Sequence, residues 1–106
     1  MSKLFSLQIK SRKQAEALMY YFEHFILPER PQDIAESLLL DLMIRIYRKI
    51  RTKVENMFTQ SFNVNISPEE AKGYHLYWQN RAIADGYILE RLIIESQIAA
   101  IDKIHG

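Results

Sequence analysis

The sequence predicts a predominantly helical α+β fold made of two similar halves. Two short segments, residues 5–9 and 62–66, alternate apolar and polar side chains in the way that half-buried strands do. Each segment is followed at once by a helix-capping sequence, at residues 11–14 and 67–70. Apolar residues at helical spacing come next in both halves, so the order strand, helix, helix is predicted twice.

The similarity of the two halves extends into the helices. Tyr21-Phe22 corresponds to Tyr77-Trp78, and the segment 34–40 corresponds to 83–89, where Ile-Ala-Glu is matched by Ile-Ala-Asp. Internal similarity of this kind predicts two related structural units that share one core. The two strands would then lie antiparallel, and we expect them to form a short ribbon.

This internal repeat is placed at residues 4–58 and 61–105, within a single domain that comprises residues 1–106. A chain of 106 residues is too short to give each half an independent hydrophobic core. An all-helical bundle is the alternative fold class, and it would apply if the short strands did not form.

The first helix is predicted over residues 12–26. Ser11 and Gln14 form a capping box, in which the two side chains satisfy backbone amides that have no partner inside the helix. Pro28 ends the helix, because the residue before a proline avoids helical geometry and proline itself has no amide donor.

The second helix is predicted to begin at Pro31 or Gln32 and to run to about Phe58. Its apolar residues cover a face that is wider than one neighbouring helix would need. We therefore expect this helix to pack against more than one element.

The second half begins with the strongest boundary signal in the chain. Ser67 and Glu70 form another capping box, and Pro68 stands at the first helical position, where proline is favoured. The following helix is predicted to reach about Ala84. A long helix that continues to about residue 105, kinked at Gly86, is the favoured prediction, and its continuity through Gly86 is left open.

Composition excludes several classes of protein. The sequence has no cysteine, which excludes disulfides, thiol catalysis and cysteine-ligated metal sites. It contains neither a recognisable signal peptide nor an apolar run of about 18 residues, the length that suggests a membrane span. We expect a soluble, cytoplasmic protein.

The second helix carries the best candidate for a phosphate-binding patch. Five cations lie within residues 45–53, and Arg45, Arg48 and Lys49 share the outer side of the predicted helix. A solvated helix face is the simpler interpretation, since cations near a helix C-terminus are also favoured by the helix dipole.

Aromatic residues concentrate at matching places in the two halves. Tyr20, Tyr77 and Trp78 are candidates for the lining of a ligand pocket. A buried aromatic cluster is the alternative interpretation, in which the hydroxyl and indole groups reach polar partners.

The last helix is apolar around most of its circumference, which is typical of a central helix or of an oligomer interface. Ile94, Ile98 and Ile101 are candidate residues of a homodimer interface. Pairing of the open strand edges across a twofold axis would give a four-stranded sheet and would satisfy exposed backbone groups.

These patterns predict a small homodimeric protein-interaction or assembly module with an unidentified protein partner. The alternative is a nucleic-acid-binding or regulatory protein that uses the basic face of the second helix, and a third hypothesis is a small-molecule binder that uses the aromatic cluster. The three histidines form no recognisable metal motif, and the sequence has no phosphate-binding loop or nucleophile elbow. We predict no metal, cofactor or membrane partner and assign no catalytic residue.

Overall fold

A computed structural model describes residues 5–56, 62–79 and 81–105. Strand β1 pairs with strand β2 in antiparallel orientation, and the chain also contains four described α-helices. The predicted α+β class is confirmed, and the all-helical alternative is wrong. The elements are β1 (Phe5–Ile9), α1 (Arg12–Tyr21), α2 (Ile34–Asn56), β2 (Phe62–Ile66), α3 (Pro68–Gln79) and α4 (Ile88–His105), and α1 continues into a π-helical segment (Phe22–Ile26).

The register of the ribbon is symmetrical about its middle pair, in which Leu7 lies opposite Val64. The first residue of each strand pairs with the last residue of the other strand. This is the register that a twofold axis through the middle pair would generate. One face of the ribbon is buried and consists of Leu7, Ile9, Val64 and Ile66.

Both predicted helix caps form, the second as a complete capping box, whereas in the first Gln14 Oε1 accepts the amide of Lys10 over 3.2 Å instead of the amide of Ser11. The amide of Gln14 donates to Ser11 Oγ over 3.1 Å, and the amide of Glu70 donates to Ser67 Oγ over the same distance. Glu70 Oε1 accepts the amide of Ser67 in return, over 2.8 Å. These caps start α1 at residue 12 and α3 at residue 68, as predicted.

Helix α2 begins at Ile34, slightly later than predicted, because a further cap lies just before it. Asp33 Oδ1 accepts the amide of Glu36 over 2.8 Å, and Glu36 Oε2 accepts the amide of Gln32 over 2.7 Å. The sequence analysis overlooked this pair. The helix is described to Asn56, and its predicted end at Phe58 lies outside the described residues.

The favoured long helix through Gly86 is wrong. Helix α3 ends at Gln79, residues 81–87 are not helical, and α4 starts at Ile88. Gly86 has a φ of 89°, a conformation that side chains with L chirality rarely adopt. In addition, the amide of Ala84 donates to the hydroxyl of Tyr21 over 2.9 Å instead of entering a helical ladder.

The break displaces the match between α2 and α4 that the predicted internal repeat requires. Both α2 and α4 open with Ile-x-Glu-x-Leu, so Ile34 and Leu38 of α2 match Ile88 and Leu92 of α4. The predicted match of 34–40 with 83–89 is therefore displaced, because most of the second segment precedes α4. The matched leucines have nearly equal exposed fractions, 60% for Leu38 and 61% for Leu92.

The two halves cross over each other. Helix α2 packs on α3 and runs beside β2, while α4 packs on α1 and runs beside β1. The second helix of each half thus covers elements of the other half, and the buried side chains form one cluster. Helices α2 and α3 approach closely at Gly73, where an added Cβ would lie 2.5 Å from Leu42 Cδ1.

Among the described helices, none is both long and apolar enough to cross a membrane.

We expect Gly86→Ala to lower the free energy of unfolding by about 1–2 kcal/mol, because alanine would be held at positive φ. Gly86→Asn should cost less, since asparagine tolerates this region better. Urea denaturation followed by circular dichroism measures both changes. Asp85→Ala, at the exposed neighbouring position, is the control and should change stability little. Equal stability of Gly86→Ala and the wild type would contradict the turn described here.

Candidate functional site

Each strand of the ribbon has one edge that pairs with the other strand and one edge that pairs with no described strand. A helix from the other half accompanies each of these open edges. Grooves lie between helix and strand on both sides, and they differ in their chemistry. These two grooves are the candidate interaction sites.

The β1 groove lies between the open edge of β1 and helix α4. It consists of two adjoining cavities of about 160 and 170 Å³. Of the described residues that line it, Lys10 alone is charged. The lining includes Ser6, Leu7, Gln8, Lys10 and Gln14 on one side and Leu92, Ser96, Gln97 and Ala100 on the other.

Gln97 is an unusual member of the β1 groove, because it is a buried polar side chain with an incomplete set of hydrogen bonds. It is 4% exposed, and its Oε1 accepts the hydroxyl of Tyr74 over 2.5 Å. Its Nε2 has no hydrogen-bond partner within the described part of the chain. A buried donor without a partner lowers stability, but this amide is enclosed by the chain and offers no contact to a ligand in the groove.

The predicted dimer residues of α4 occupy different environments. Ile94 and Ile101 are fully buried in the core of the chain, where a second copy cannot reach them, and Ile98 is half-buried. The exposed apolar residues of this helix are instead Ile88 and Leu92, with exposed fractions of 72% and 61%. Helical periodicity showed that α4 is apolar on most sides, but it could not show which side the chain itself covers.

The β2 cleft lies between the open edge of β2 and the second part of α2, and its volume is about 380 Å³. Of the predicted phosphate-binding residues, Arg48 and Lys49 line it, whereas Arg45 is exposed outside its lining. Lys53 also lines the cleft and was not among the predicted residues. The complete lining is Arg48, Lys49, Thr52, Lys53, Val64 and Asn65.

Lys49 has a structural partner as well. Its Nζ lies 2.6 Å from Oε1 of Glu70, which is 4% exposed and belongs to the cap of α3. Burial alone would raise the pKa of Glu70, but the hydrogen bonds from Lys49 and Ser67 and the charge of Lys49 outweigh it, and this pKa is lowered. The ion pair therefore fastens α2 to the beginning of α3.

The aromatic candidates are only partly brought together. Tyr77 and Trp78 line a cavity of about 270 Å³, but the lining contains Tyr21 and not Tyr20. Tyr20 lies outside, with 47% of its surface exposed, and stacks on His24 at a centroid distance of 3.9 Å. Neighbouring positions on a helix point about 100° apart, which is why similar aromatic residues differ so much in burial.

Internal contacts occupy the polar side of the aromatic cavity. Glu29 accepts hydrogen bonds from the hydroxyl of Tyr77 and from Arg81, the latter over 3.2 Å. The Arg81 guanidinium also lies 3.9 Å from the centroid of the Tyr77 ring. Burial and the Glu29 carboxylate both raise the pKa of Tyr77, so this hydroxyl remains a hydrogen-bond donor at neutral pH. These contacts agree with the interpretation of the aromatic residues as a buried cluster.

Histidine and carboxylate residues do not form a metal centre in the part of the chain that is described. Oδ1 of Asp102 lies 3.2 Å from Nε2 of His75 on α3. No protein-family model, curated protein or solved structure matches the chain. The two grooves must therefore be interpreted from their own chemistry.

We expect Lys49→Met to lower the free energy of unfolding by about 1–2 kcal/mol at neutral pH, because it leaves the buried carboxylate of Glu70 without its cation. The loss is moderate, since the Lys49 side chain is 41% exposed and water screens the pair. The folded-state pKa of Glu70 is lowered in the wild type, so this stabilisation is present above about pH 4.5 and is lost as pH falls through the folded-state pKa. The two proteins should therefore converge in stability in acid. Denaturant titrations over a pH series measure the difference.

Arg45→Met is the matched control, because it removes an exposed cation one turn earlier on the same helix. Its effect on stability should be small at every pH. A loss for Lys49→Met that did not shrink in acid would show that packing of the lysine stem, rather than the ion pair, stabilises this contact.

Proposed function

We propose that the protein is a homodimeric interaction module that associates through the open edge of β1 and the adjoining face of α4. The observation that carries the proposal is the β1 groove itself. An open strand edge and the exposed Leu92 side chain lie along the same nearly uncharged groove. Both features become more favourable when they are covered.

The size of the ribbon supports association. Two strands of five residues are marginal by themselves, and their open edges present backbone donors and acceptors to solvent. Antiparallel pairing of β1 with β1 of a second copy would give a four-stranded sheet around a closed twofold interface.

Charge favours β1 over β2 as the self-association edge. The β1 groove contributes Lys10 alone from each copy. The β2 cleft would bring Arg48, Lys49 and Lys53 of both copies together, and only Lys49 has an ion-pair partner within the described residues. Like charges at close range oppose association, so two copies meet more easily through β1.

The exposed face of α4 supplies the apolar part of the interface. Ile88, Leu92, Ser96 and Ala99 recur at three- and four-residue spacing, and all four are exposed. Leu92 and Ser96 also line the β1 groove, so this face is continuous with the strand edge. A partner strand and a partner helix could therefore be accommodated together.

The cations of the β2 cleft favour a second candidate function, contact with nucleic acid. Two observations weaken it relative to the dimer module. Lys49 is already held by Glu70, and Arg45 lies outside the cleft, so the predicted triad is not one surface. The cleft also has no aromatic residue in its described lining on which a base could stack.

We expect the wild-type protein to be a dimer at micromolar concentrations and Leu92→Glu to raise the dimer dissociation constant about tenfold or more, because it buries an unpaired carboxylate in the interface. Light scattering coupled to size-exclusion chromatography across a dilution series measures the dimer fraction. Thermal unfolding should show that the monomer remains folded, since Leu92 is mostly exposed.

Leu38→Glu is the matched control. Leu38 stands at the equivalent position of α2 and has an equal degree of exposure, but it does not line the β1 groove. This variant should dimerise like the wild type. A wild-type protein that stays monomeric at high micromolar concentration, or equal dissociation of the two variants, would contradict the proposed interface.

A further inference from the structure

We propose that the β2 cleft binds an extended acidic peptide segment of a partner protein, which adds as a strand to the open edge of β2. This inference does not depend on dimerisation, because it concerns the opposite edge of the ribbon. The cleft has a volume of about 380 Å³, and both its walls come from regular elements. Its lining combines three cations with part of a strand.

The strand side of the cleft offers backbone hydrogen bonds. Val64 and Asn65 are adjacent residues of β2, and both line the cleft, although the Val64 side chain is buried and Asn65 is exposed. The cleft therefore borders the backbone of β2 and is not confined to one face of the ribbon. In an antiparallel pair, alternate residues direct their N–H and C=O groups away from the partner strand, where an added strand can bind them.

The helix side of the cleft offers charges at a spacing that suits a strand. Lys49 and Lys53 are four residues apart on α2, a rise of about 6 Å along the helix axis. Every second residue of an extended peptide lies on the same side, about 6.6 Å further along the chain. A peptide with an acidic residue at alternate positions would thus present carboxylates at nearly the spacing of these ammonium groups.

The positive charges that line the cleft favour an acidic ligand. Arg48, Lys49 and Lys53 line the cleft, and its described lining contains no acidic residue. The carboxylate of Glu70 neutralises part of the charge of Lys49, but the Lys49 side chain keeps 41% of its surface exposed and has donors to spare. The remaining field favours an anionic ligand and speeds its association.

A peptide fits the cleft better than a single-stranded nucleic acid does. Nucleic acid without a base-specific site gains much of its affinity from stacking on aromatic side chains, and the described lining includes none. The lining offers instead a strand edge, a Thr52 side chain and aliphatic lysine stems, which suit an extended peptide with alternating apolar and acidic residues.

The test uses a fluorescent peptide of alternating valine and glutamate, with both ends capped, and measures its binding to the full chain by fluorescence anisotropy. Arg48→Gln combined with Lys53→Gln should weaken binding about tenfold, because two cations of the cleft are lost. The matched control is Lys13→Gln combined with Lys72→Gln, which removes the same charge from exposed positions on other helices and should bind like the wild type. Thermal unfolding should confirm that both double variants are folded.

Three further probes separate this proposal from its competitors. A valine and lysine peptide should not bind, and a valine and glutamate peptide with alternate backbone amides methylated should bind about tenfold more weakly, since it cannot complete the strand ladder. The Leu92→Glu variant should bind the peptide as the wild type does, so a failed dimer prediction and a failed peptide prediction can be told apart.

Absence of peptide binding at high micromolar protein, equal loss in both double variants, or undiminished binding of the methylated peptide would overturn the proposal. Tighter, cleft-dependent binding of a mixed-sequence single-stranded DNA would overturn it in favour of a phosphate-binding surface.

Discussion

The rest of the structure depends on the burial of one face of a two-stranded ribbon. Leu7, Ile9, Val64 and Ile66 are almost completely removed from solvent, although the ribbon is only five residue pairs long. A shift of the register by one residue would turn one strand's apolar side chains outward, so this face fixes the pairing. A ribbon of this size gains its stability from the helices below it and not from its own hydrogen bonds.

The crossed packing of the helices follows from the antiparallel pairing. Because the two strands run in opposite directions beside each other, the helices that follow them leave from opposite ends, and the second helix of each half returns beside the other strand. The ion pair between Lys49 and Glu70 and the contact of Leu42 with Gly73 hold α2 onto the other half. Neither half could bury its apolar surface alone, which favours the predicted single domain.

The parts of the fold that could be predicted from the sequence are those with local signals. The alternation of apolar and polar residues predicted both strands. The capping sequences at Ser11 and Ser67 predicted two helix starts, because a cap depends on residues only three or four positions apart. The break near Gly86 was missed, since residues 81–87 continue the mixture of apolar and polar residues that a helix also has. The break combines a local feature, Gly86 at positive φ, with a distant contact, the hydrogen bond from the amide of Ala84 to the Tyr21 hydroxyl.

The candidate sites were less predictable than the fold, for a related reason. Composition identifies an apolar or a basic helix, but only tertiary packing decides which of its sides remains accessible. Ile94 is buried while Leu92, two residues earlier, is exposed, and Lys49 is partly withdrawn from the surface by Glu70. Lys53 joins the cleft because β2 passes beside it, and this neighbour lies in another element of the chain.

The two halves illustrate how a shared frame can carry different chemistry. With Ile34 matched to Ile88, the part of α4 that lines the β1 groove, residues 89–100, corresponds to residues 35–46 of α2, whereas the β2 cleft is lined by residues 48–53. A helix lies beside a strand with an open edge on both sides, but one side is basic and the other is nearly neutral. Under the proposed function, repulsion between basic clefts keeps the β2 edges of two copies apart, so that the edges remain distinct in what they bind. Specificity of this kind comes from the side chains that line each groove and not from the pairing of a helix with a strand edge, which both sides share.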